Sequence, residues 1–267
     1  MPAETGAPPI LDIVRESGLD MEAFVHHYAD LFIVHDRLML KTFQAWAGAE
    51  KALEMHDRVW NNPIQPLQEL FGSIGPTLED RLVAYCRAFH LHDYHSMRAL
   101  CDEIGEVSAI EAHHSLWVNQ STDTAIVPGH EPDAEGQLTW RELYDLVRAH
   151  TVREGILHEI VDITQDSLIV ETKKCAYFDM ITYEMGREAA EEHNHLIAQD
   201  SSDRTREGFL QGIGRTDEFR GVMTRHRCHG DTTCRVEWTR RDPEEPHRLF
   251  EPVSRPGTIC YFCPAGG

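Results

Sequence analysis

The sequence lacks any apolar run that approaches the roughly 20 residues needed to cross a bilayer. It also lacks a basic stretch followed by an apolar one near its beginning, which is the pattern of a secretory signal. Both absences predict a cytoplasmic protein that does not bind membranes. Its seven cysteines are then expected to be reduced thiols, because disulfides are rare in that compartment.

Positive charge is also scarce in this chain. Lys and Arg number 25 against 45 Asp and Glu, which gives a net charge of −20 and a pI near 5.2. Such a surface repels phosphate backbones and anionic lipid headgroups, so general nucleic-acid binding is excluded. We therefore expect neither a nucleic-acid nor a membrane partner. The sequence leaves the oligomeric state open, a homo-oligomer included.

The common signature motifs are missing. There is no P-loop, no G-x-G-x-x-G after a strand, no G-x-S-x-G and no H-E-x-x-H, which removes the commonest nucleotide and hydrolase signatures. No internal repeat is expected either. Function must therefore be sought in scattered Cys, His and acidic residues.

Hydrophobic periodicity predicts an α+β fold. Apolar residues recur at helical spacing in the first half, and after Gly155 the pattern changes to strand-like alternation. We predict a helical N-terminal region at 1–118, a loop or linker at 119–138, an α+β hydrolase-like domain at 139–245 and an irregular tail at 246–267. The domain is predicted to hold a small antiparallel sheet of two hairpins with a crossing helix between them.

Local signals place the ends of several elements. Asp20 and Thr77 precede the two strongest helical patterns and are predicted helix N-caps, with Asp80 three residues after Thr77. Turn-forming residues at 165–167 and 230–232 predict the tips of the two hairpins.

Cys175 is the most informative residue. It lies where a predicted strand ends and a helix begins, and the exposed N–H groups of a helix start stabilise a thiolate. Lys173 and Lys174 precede it and act in the same direction. The residue is predicted to be a nucleophile or a metal ligand, with a small buried apolar residue as the alternative. Its expected partner comes from the neighbouring strands: His158 near the start of the first strand, or Cys234 and His226 in the last hairpin.

Four cysteines could form a zinc site. Cys228 and Cys234 flank the last hairpin turn, and Cys260 and Cys263 form a C-x-x-C in the tail. Unlinked thiols are the alternative interpretation, because the first pair has an unusual spacing for a zinc knuckle.

The helical half carries its own histidine patterns. The HLHDYH segment at 90–95 is interpreted as a polar helix face. Three His-Asp dipeptides suggest an HD-type phosphohydrolase, and two Glu-x-x-His pairs suggest a di-iron site, although chance alone produces about as many such pairs. The dipeptides are His35-Asp36, His56-Asp57 and His92-Asp93, and the pairs are Glu111/His114 and Glu192/His195.

The order of features between about 156 and 240 carries a family resemblance. A strand pair leads into a cysteine at a helix start, a glycine follows some ten residues on, an acidic residue follows the helix, and a closing strand has Gly-Asp before a cysteine. Here these are DSLIVETKKC with Cys175, then Gly186, Asp200, and HGDTTC with Gly230, Asp231 and Cys234. About a third of the chain thereby resembles the L-2-amino-thiazoline-4-carboxylic acid hydrolase family and its uncharacterised relatives. Ala176 stands where many members have proline, and HNHLIAQD where many have a further cysteine.

The resemblance implies hydrolysis of a C–N bond in a small cyclic amidine, or a related biosynthetic tailoring reaction. Cys175 would attack the amidine carbon as a thiolate, or bind a metal that activates water. Asp200 or His195 would move protons, and Cys234 would line the pocket beside Cys175.

The remaining substrate-binding predictions concern the positive charge that an anionic substrate would need. Arg225 or Arg227 would bind a substrate carboxylate, with His158 close by.

Two other classes of function stay open: a metal- or small-molecule-binding sensor that uses the Cys/His cluster, and a metal-dependent enzyme of the di-iron or HD type in the helical half. The cofactor is accordingly none or a divalent metal.

Overall fold

The computed structural model describes residues 7–62, 66–124, 136–227 and 231–242. Within these ranges the chain forms nine helices and one small sheet, so the predicted α+β class and the helical N-terminal half are confirmed. The helices are α1 (Pro9–Ser17), α2 (Met21–Ala47), α3 (Ala49–Trp60), α4 (Leu67–Gly72), α5 (Leu78–Ile104), α6 (Glu106–Thr124), α7 (Trp140–Thr151), α8 (Ala176–Met185) and α9 (Arg187–Gly212). The strands are β1 (Ile156–Ile163), β2 (Ser167–Cys175), β3 (Phe219–Arg225) and β4 (Arg235–Arg240).

The sheet is antiparallel throughout, with the strand order β1-β2-β4-β3. The two predicted hairpins are therefore present, and β2 pairs with β4 to join them. The predicted crossing helix is in fact two helices, because Gly186 adopts a φ of 91° between α8 and α9. A left-handed backbone of this kind favours glycine and ends the first helix there.

The predicted loop at 119–138 begins later than expected. Helix α6 continues to Thr124, so residues 119–124 are helical. Residues 125–135 and the predicted tail at 246–267 lie outside the described residues. Among the helices that are described, none is both long and apolar enough to cross a membrane.

The expectation of no internal repeat is wrong. Helices α2 and α5 each contain 27 residues, and each leads through one glycine into a second helix, α3 or α6. Residues 21–60 align without gaps with residues 78–117, 57 positions further on, and ten of the forty aligned positions are identical. The identical pairs are Glu22/Glu79, Tyr28/Tyr85, Phe32/Phe89, His35/His92, Asp36/Asp93, Gly48/Gly105, Ala52/Ala109, Glu54/Glu111, His56/His113 and Trp60/Trp117. We call residues 21–60 the first unit and residues 78–117 the second unit.

The contacts between the two units are reciprocal: equivalent residues of each unit make the same contact with the other unit, as in a pair related by an approximate twofold axis. Phe32 packs edge-on against Trp60 of its own unit and against His92 of the other, at ring-centroid distances of 5.7 Å each. Phe89, the residue equivalent to Phe32, likewise contacts Trp117 at 6.2 Å and His35 at 5.1 Å. The repeat is therefore a feature of the packing as well as of the sequence.

The two units begin differently. Thr77 caps α5 with a full capping box, in which its hydroxyl accepts from the Asp80 N–H at 3.1 Å and its own N–H donates to the Asp80 carboxylate. Asp20 occupies the equivalent N-cap position of α2 without a side-chain cap hydrogen bond. Both predicted cap positions are confirmed, but only Thr77 makes the expected bond.

Candidate functional site

A cavity of about 200 Å³ lies between one face of the sheet and helices α7, α8 and α9. Alternate strand residues reach it, as expected for side chains that share one face of a sheet. They include Ile156 and His158 of β1, Val170 and Thr172 of β2, and Val236 and Trp238 of β4. The lining is mostly apolar with a few polar groups, which is the usual composition of a small-molecule site.

Cys175 and Cys234 both line this cavity, together with Arg227. Cys175 is the N-cap residue of α8, at the predicted junction of strand and helix. The Cys234 sulfur accepts a hydrogen bond from the Arg227 backbone N–H at 3.3 Å. Both cysteines are free thiols, as are the other two cysteines whose side chains are described, Cys86 and Cys101.

The structure does not support a thiolate at Cys175. Burial first, and then the charge of Asp179 and the neighbouring Cys234, raise the pKa of Cys175 to about 12. Asp179 accepts a hydrogen bond from the Cys175 backbone N–H at 3.2 Å, so a carboxylate occupies the helix start that was expected to favour a thiolate. Lys174 does not compensate, because its ammonium lies 2.7 Å from Glu16 of α1. The thiol is therefore neutral at pH 7.

His158 lies on the cavity wall. Neither ring nitrogen has a hydrogen-bond partner among the described residues, and both atoms are buried. Burial, with a smaller contribution from the positive charge of Arg206, lowers the pKa of His158 to about 4. A neutral imidazole that faces the cavity can accept or donate one hydrogen bond to a bound molecule.

Glu154 is the group that sequence reasoning missed. It lines the cavity, is only 5% exposed, and has its pKa raised by burial to about 7. His150 Nε2 lies 3.7 Å from its Oε1. Its backbone is held in place, since the Tyr28 hydroxyl donates to the Glu154 carbonyl at 3.1 Å and Gly155 accepts from the Ala176 N–H at 2.8 Å. A carboxyl group that titrates near pH 7 in a cavity is suited to proton transfer.

Tyr177 contributes a phenol to the cavity. It lines the cavity, and burial followed by the nearby Glu154 raises the pKa of its hydroxyl, with a smaller contribution from Cys175. The hydroxyl is buried without a hydrogen-bond partner among the described residues. Arg206 of α9 also lines the cavity and donates to the Gly221 carbonyl at 3.2 Å. The cavity thus combines one acid, three imidazoles, two thiols, a phenol and two guanidinium groups.

Several predicted site residues do not join this group. Arg225 is outside the cavity lining, 48% exposed, with its guanidinium 3.8 Å from the Glu171 carboxylate. Asp200 was expected after a helix, but it lies within α9. The side chains of His195 and Asp200 fall outside the described part of the structure. Cys228, Cys260 and Cys263, which are three of the four cysteines of the predicted zinc site, also lie outside the described residues.

The interpretation of HLHDYH as a polar helix face is wrong. His90, His92, Asp93 and His95 are all at most 5% exposed. The Asp93 carboxylate lies 2.8 Å from His113 Nε2, 3.2 Å from His35 Nε2 and 3.2 Å from His193 Nε2. Burial tends to raise the pKa of Asp93, but these imidazoles outweigh it and hold the pKa well below its usual value. The segment is the polar centre of the helical half.

This polar centre touches the cavity. Trp117 lines the cavity and donates its indole N–H to His113 Nε2 at 3.1 Å. Tyr177 packs edge-on against both Trp117, at 5.4 Å, and His90, at 4.8 Å.

The chain matches no protein-family model and no curated protein. The similarity to the L-2-amino-thiazoline-4-carboxylic acid hydrolase family therefore remains a prediction from the sequence pattern.

Proposed function

We propose that the chain is a small-molecule hydrolase that cleaves a C–N bond of a cyclic amidine bound in the cavity beside Glu154. The observation that carries the proposal is the position of this carboxyl group, which is nearly buried in a mostly apolar cavity and titrates near pH 7. Such a group takes and returns protons at neutral pH, as hydrolysis requires. The family resemblance supports the choice of a cyclic amidine.

The cavity favours a small substrate. Its volume of about 200 Å³ is below the approximate range of 300–1,000 Å³ typical for drug-sized ligands, so a single small ring with short substituents fits best. A protonated amidine is a cation, and the ionised Glu154 would attract it. Arg206 and Arg227 line the same cavity and are the groups that could meet a carboxylate on the substrate; the Arg227 guanidinium also lies 3.0 Å from the Asp179 carboxylate. This local charge matters because the overall field of the chain is strongly negative.

Glu154 is assigned the role of general base. In one route a water molecule adds to the amidine carbon, Glu154 accepts a proton from that water, and the C–N bond breaks as the leaving nitrogen receives a proton. In the other route the Cys175 sulfur adds to the amidine carbon and gives its proton to Glu154, and the C–N bond breaks as the leaving nitrogen takes that proton. Water then adds to the same carbon, the C–S bond breaks, and the sulfur regains a proton. The first route needs a base to deprotonate the water, and the second needs one because the thiol of Cys175 is neutral at pH 7.

The test uses the purified full chain, L-2-amino-thiazoline-4-carboxylate and a panel of small cyclic amidines, with products identified by mass spectrometry. For wild type we expect kcat/KM to rise with pH through about 7, as Glu154 loses its proton. Glu154→Gln should lower kcat/KM by at least about 100-fold and remove this pH step. Glu159→Gln, at an exposed position of β1, is the matched control and should keep both.

Cys175→Ala then distinguishes the two routes. Loss of turnover with retained substrate binding supports attack by sulfur, whereas substantial remaining turnover supports attack by water. If Glu154→Gln keeps the wild-type rate and pH profile, the proposal is wrong. If wild type binds an amidine without turnover and Cys175→Ala loses that affinity, the chain is a binding protein of the sensor type instead.

A further inference from the structure

A second group of potential ligands lies in the first unit, away from the cavity. Asp36 Oδ1 is 2.9 Å from His56 Nε2 and 2.9 Å from His92 Nε2. The Trp60 indole nitrogen also lies 2.9 Å from the same oxygen. Asp36 and His92 come from the two long helices, and His56 and Trp60 from α3. Three nitrogen atoms thus lie 2.9 Å from one carboxylate oxygen.

Hydrogen bonds from His56 Nε2 and the Trp60 indole can fill the two lone pairs of this oxygen, but a third from His92 cannot be added. A carboxylate oxygen offers two lone pairs, and the indole N–H can only donate. The Trp60 N–H is also 3.1 Å from His56 Nε2, where it can donate only if that nitrogen carries a lone pair. His92 Nε2 is fully buried, and no hydrogen bond with acceptable geometry reaches it among the described residues despite its distance to Asp36. When Nδ1 carries the proton in both imidazoles, the lone pairs of the two Nε2 atoms and of the Asp36 oxygen lie within 4.8 Å of one another.

A cation between these atoms satisfies all three groups. The two imidazole nitrogens and the carboxylate oxygen all lie within 4.8 Å of one another, close enough to bind a single ion. Two histidines and one carboxylate form a donor set that suits zinc and iron(II), and it leaves positions open for water or another ligand. The Ser96 hydroxyl lies 3.4 Å from His92 Nδ1, a contact of the kind that orients a ligating imidazole.

Access distinguishes this group from its counterpart in the second unit. The side chains of Asp36 and His56 are 22% and 24% exposed, so an ion can enter from solvent. Asp93 and His113 are 2% and 0% exposed. The Asp93 contacts are also spread over both oxygens, because His193 of α9 takes Oδ2 while His113 takes Oδ1.

We propose that Asp36, His56 and His92 bind one divalent first-row transition-metal ion at the junction of α2, α3 and α5. The ion would be held by two imidazole nitrogens and one carboxylate oxygen, with the Trp60 indole beside it. This site is separate from the cavity at Glu154 and does not depend on the hydrolase proposal.

Cobalt(II) is the probe, because its spectrum reports its ligands and it quenches nearby indole fluorescence. The full chain is first freed of metal with a chelator and then titrated. We expect one equivalent to bind, with visible bands of a nitrogen–oxygen site and without the strong near-ultraviolet absorption of cobalt bound to thiolate. That last feature separates this site from binding by any of the seven cysteines. Part of the tryptophan emission should be quenched, and Trp60→Phe should remove that part.

Variants then assign the ligands. His56→Gln and Asp36→Asn are each expected to weaken cobalt binding by about 100-fold or more, since even the loss of a group behind a ligand costs up to that much. His26→Ala, at a 76% exposed position on the same helix α2, is the matched control and should bind as wild type does. Equal thermal melting of the metal-free proteins confirms that the variants fold. The proposal is overturned if wild type binds no cobalt stoichiometrically, if the spectrum shows thiolate ligands, or if both ligand variants bind like wild type.

Discussion

Asp36 and Asp93 occupy the same position in the two units, and their surroundings differ mainly in burial. Each carboxylate lies beside a histidine of its own unit, His56 or His113, and beside one from the other unit. Asp36 remains 22% exposed, whereas Asp93 is covered by α9 and gains His193 as a third partner. One set of residues has thus become a sealed polar centre in one unit and an accessible cluster in the other. The difference shows that the packing of later elements, rather than residue identity, decides how exposed such a cluster is.

The largest expected effect on stability comes from removing the charge of the buried Asp93 carboxylate. Asp93→Asn should lower the free energy of unfolding by about 3–5 kcal/mol, because it leaves buried imidazoles without their charged partner. Asp36→Asn, the same change in the first unit, should cost only about 1 kcal/mol, since water can replace the lost contacts there. Urea denaturation of both variants in the presence of a chelator measures the difference. Similar losses for the two variants would show that burial does not separate the clusters.

Replacing the glycine that links the paired helices should destabilise the protein to a similar extent in both units. Gly48 and Gly105 have φ values of 88° and 80° with ψ values of 162° and 156°, a region essentially confined to glycine. A Cβ at either position would meet no atom within 4 Å, so the strain lies in the backbone alone. Gly48→Ala and Gly105→Ala should each cost on the order of 1–3 kcal/mol by thermal or urea unfolding. A marked inequality would mean that the two joints are not equivalent.

The smallest expected effect concerns the helix starts. Thr77→Ala removes the capping box of α5 and should lower the free energy of unfolding by about 1 kcal/mol. Asp20→Ala, at the equivalent position of α2, should cost less, because Asp20 makes no side-chain cap hydrogen bond. Both variants can be compared by urea denaturation at pH 7. A larger loss for Asp20→Ala would reverse this part of the comparison.

Local patterns in the sequence predicted the sheet and part of the cavity. Alternation identified both hairpins, and the strand–helix junction placed Cys175 correctly. His158 reaches the cavity as one of the alternate residues that β1 presents to one face, whereas Arg227 and Cys234 lie just beyond the ends of β3 and β4. These features depend on short-range periodicity, which a single sequence displays directly.

Other features depend on distant contacts or on a comparison of the sequence with itself. Glu154 is one of 45 acidic residues, and nothing local shows that burial raises its pKa to about 7. The neutral state of Cys175 likewise arises from burial and from Asp179. The repeat could have been found from the sequence, because the His-Asp pair, the glycine, the second histidine and the tryptophan of the first unit each recur 57 residues later. Without it, HLHDYH resembled an ordinary polar helix face.

The exchange of histidines between the units has a consequence for ancestry. Asp36 lies next to His92 of the second unit, and Asp93 next to His35 of the first. A shorter chain that carried a single unit would contain the aspartate and both histidines, yet it could bring them together only by pairing with a second copy of itself. The arrangement is therefore what the fusion of a symmetric dimer would leave behind in one chain.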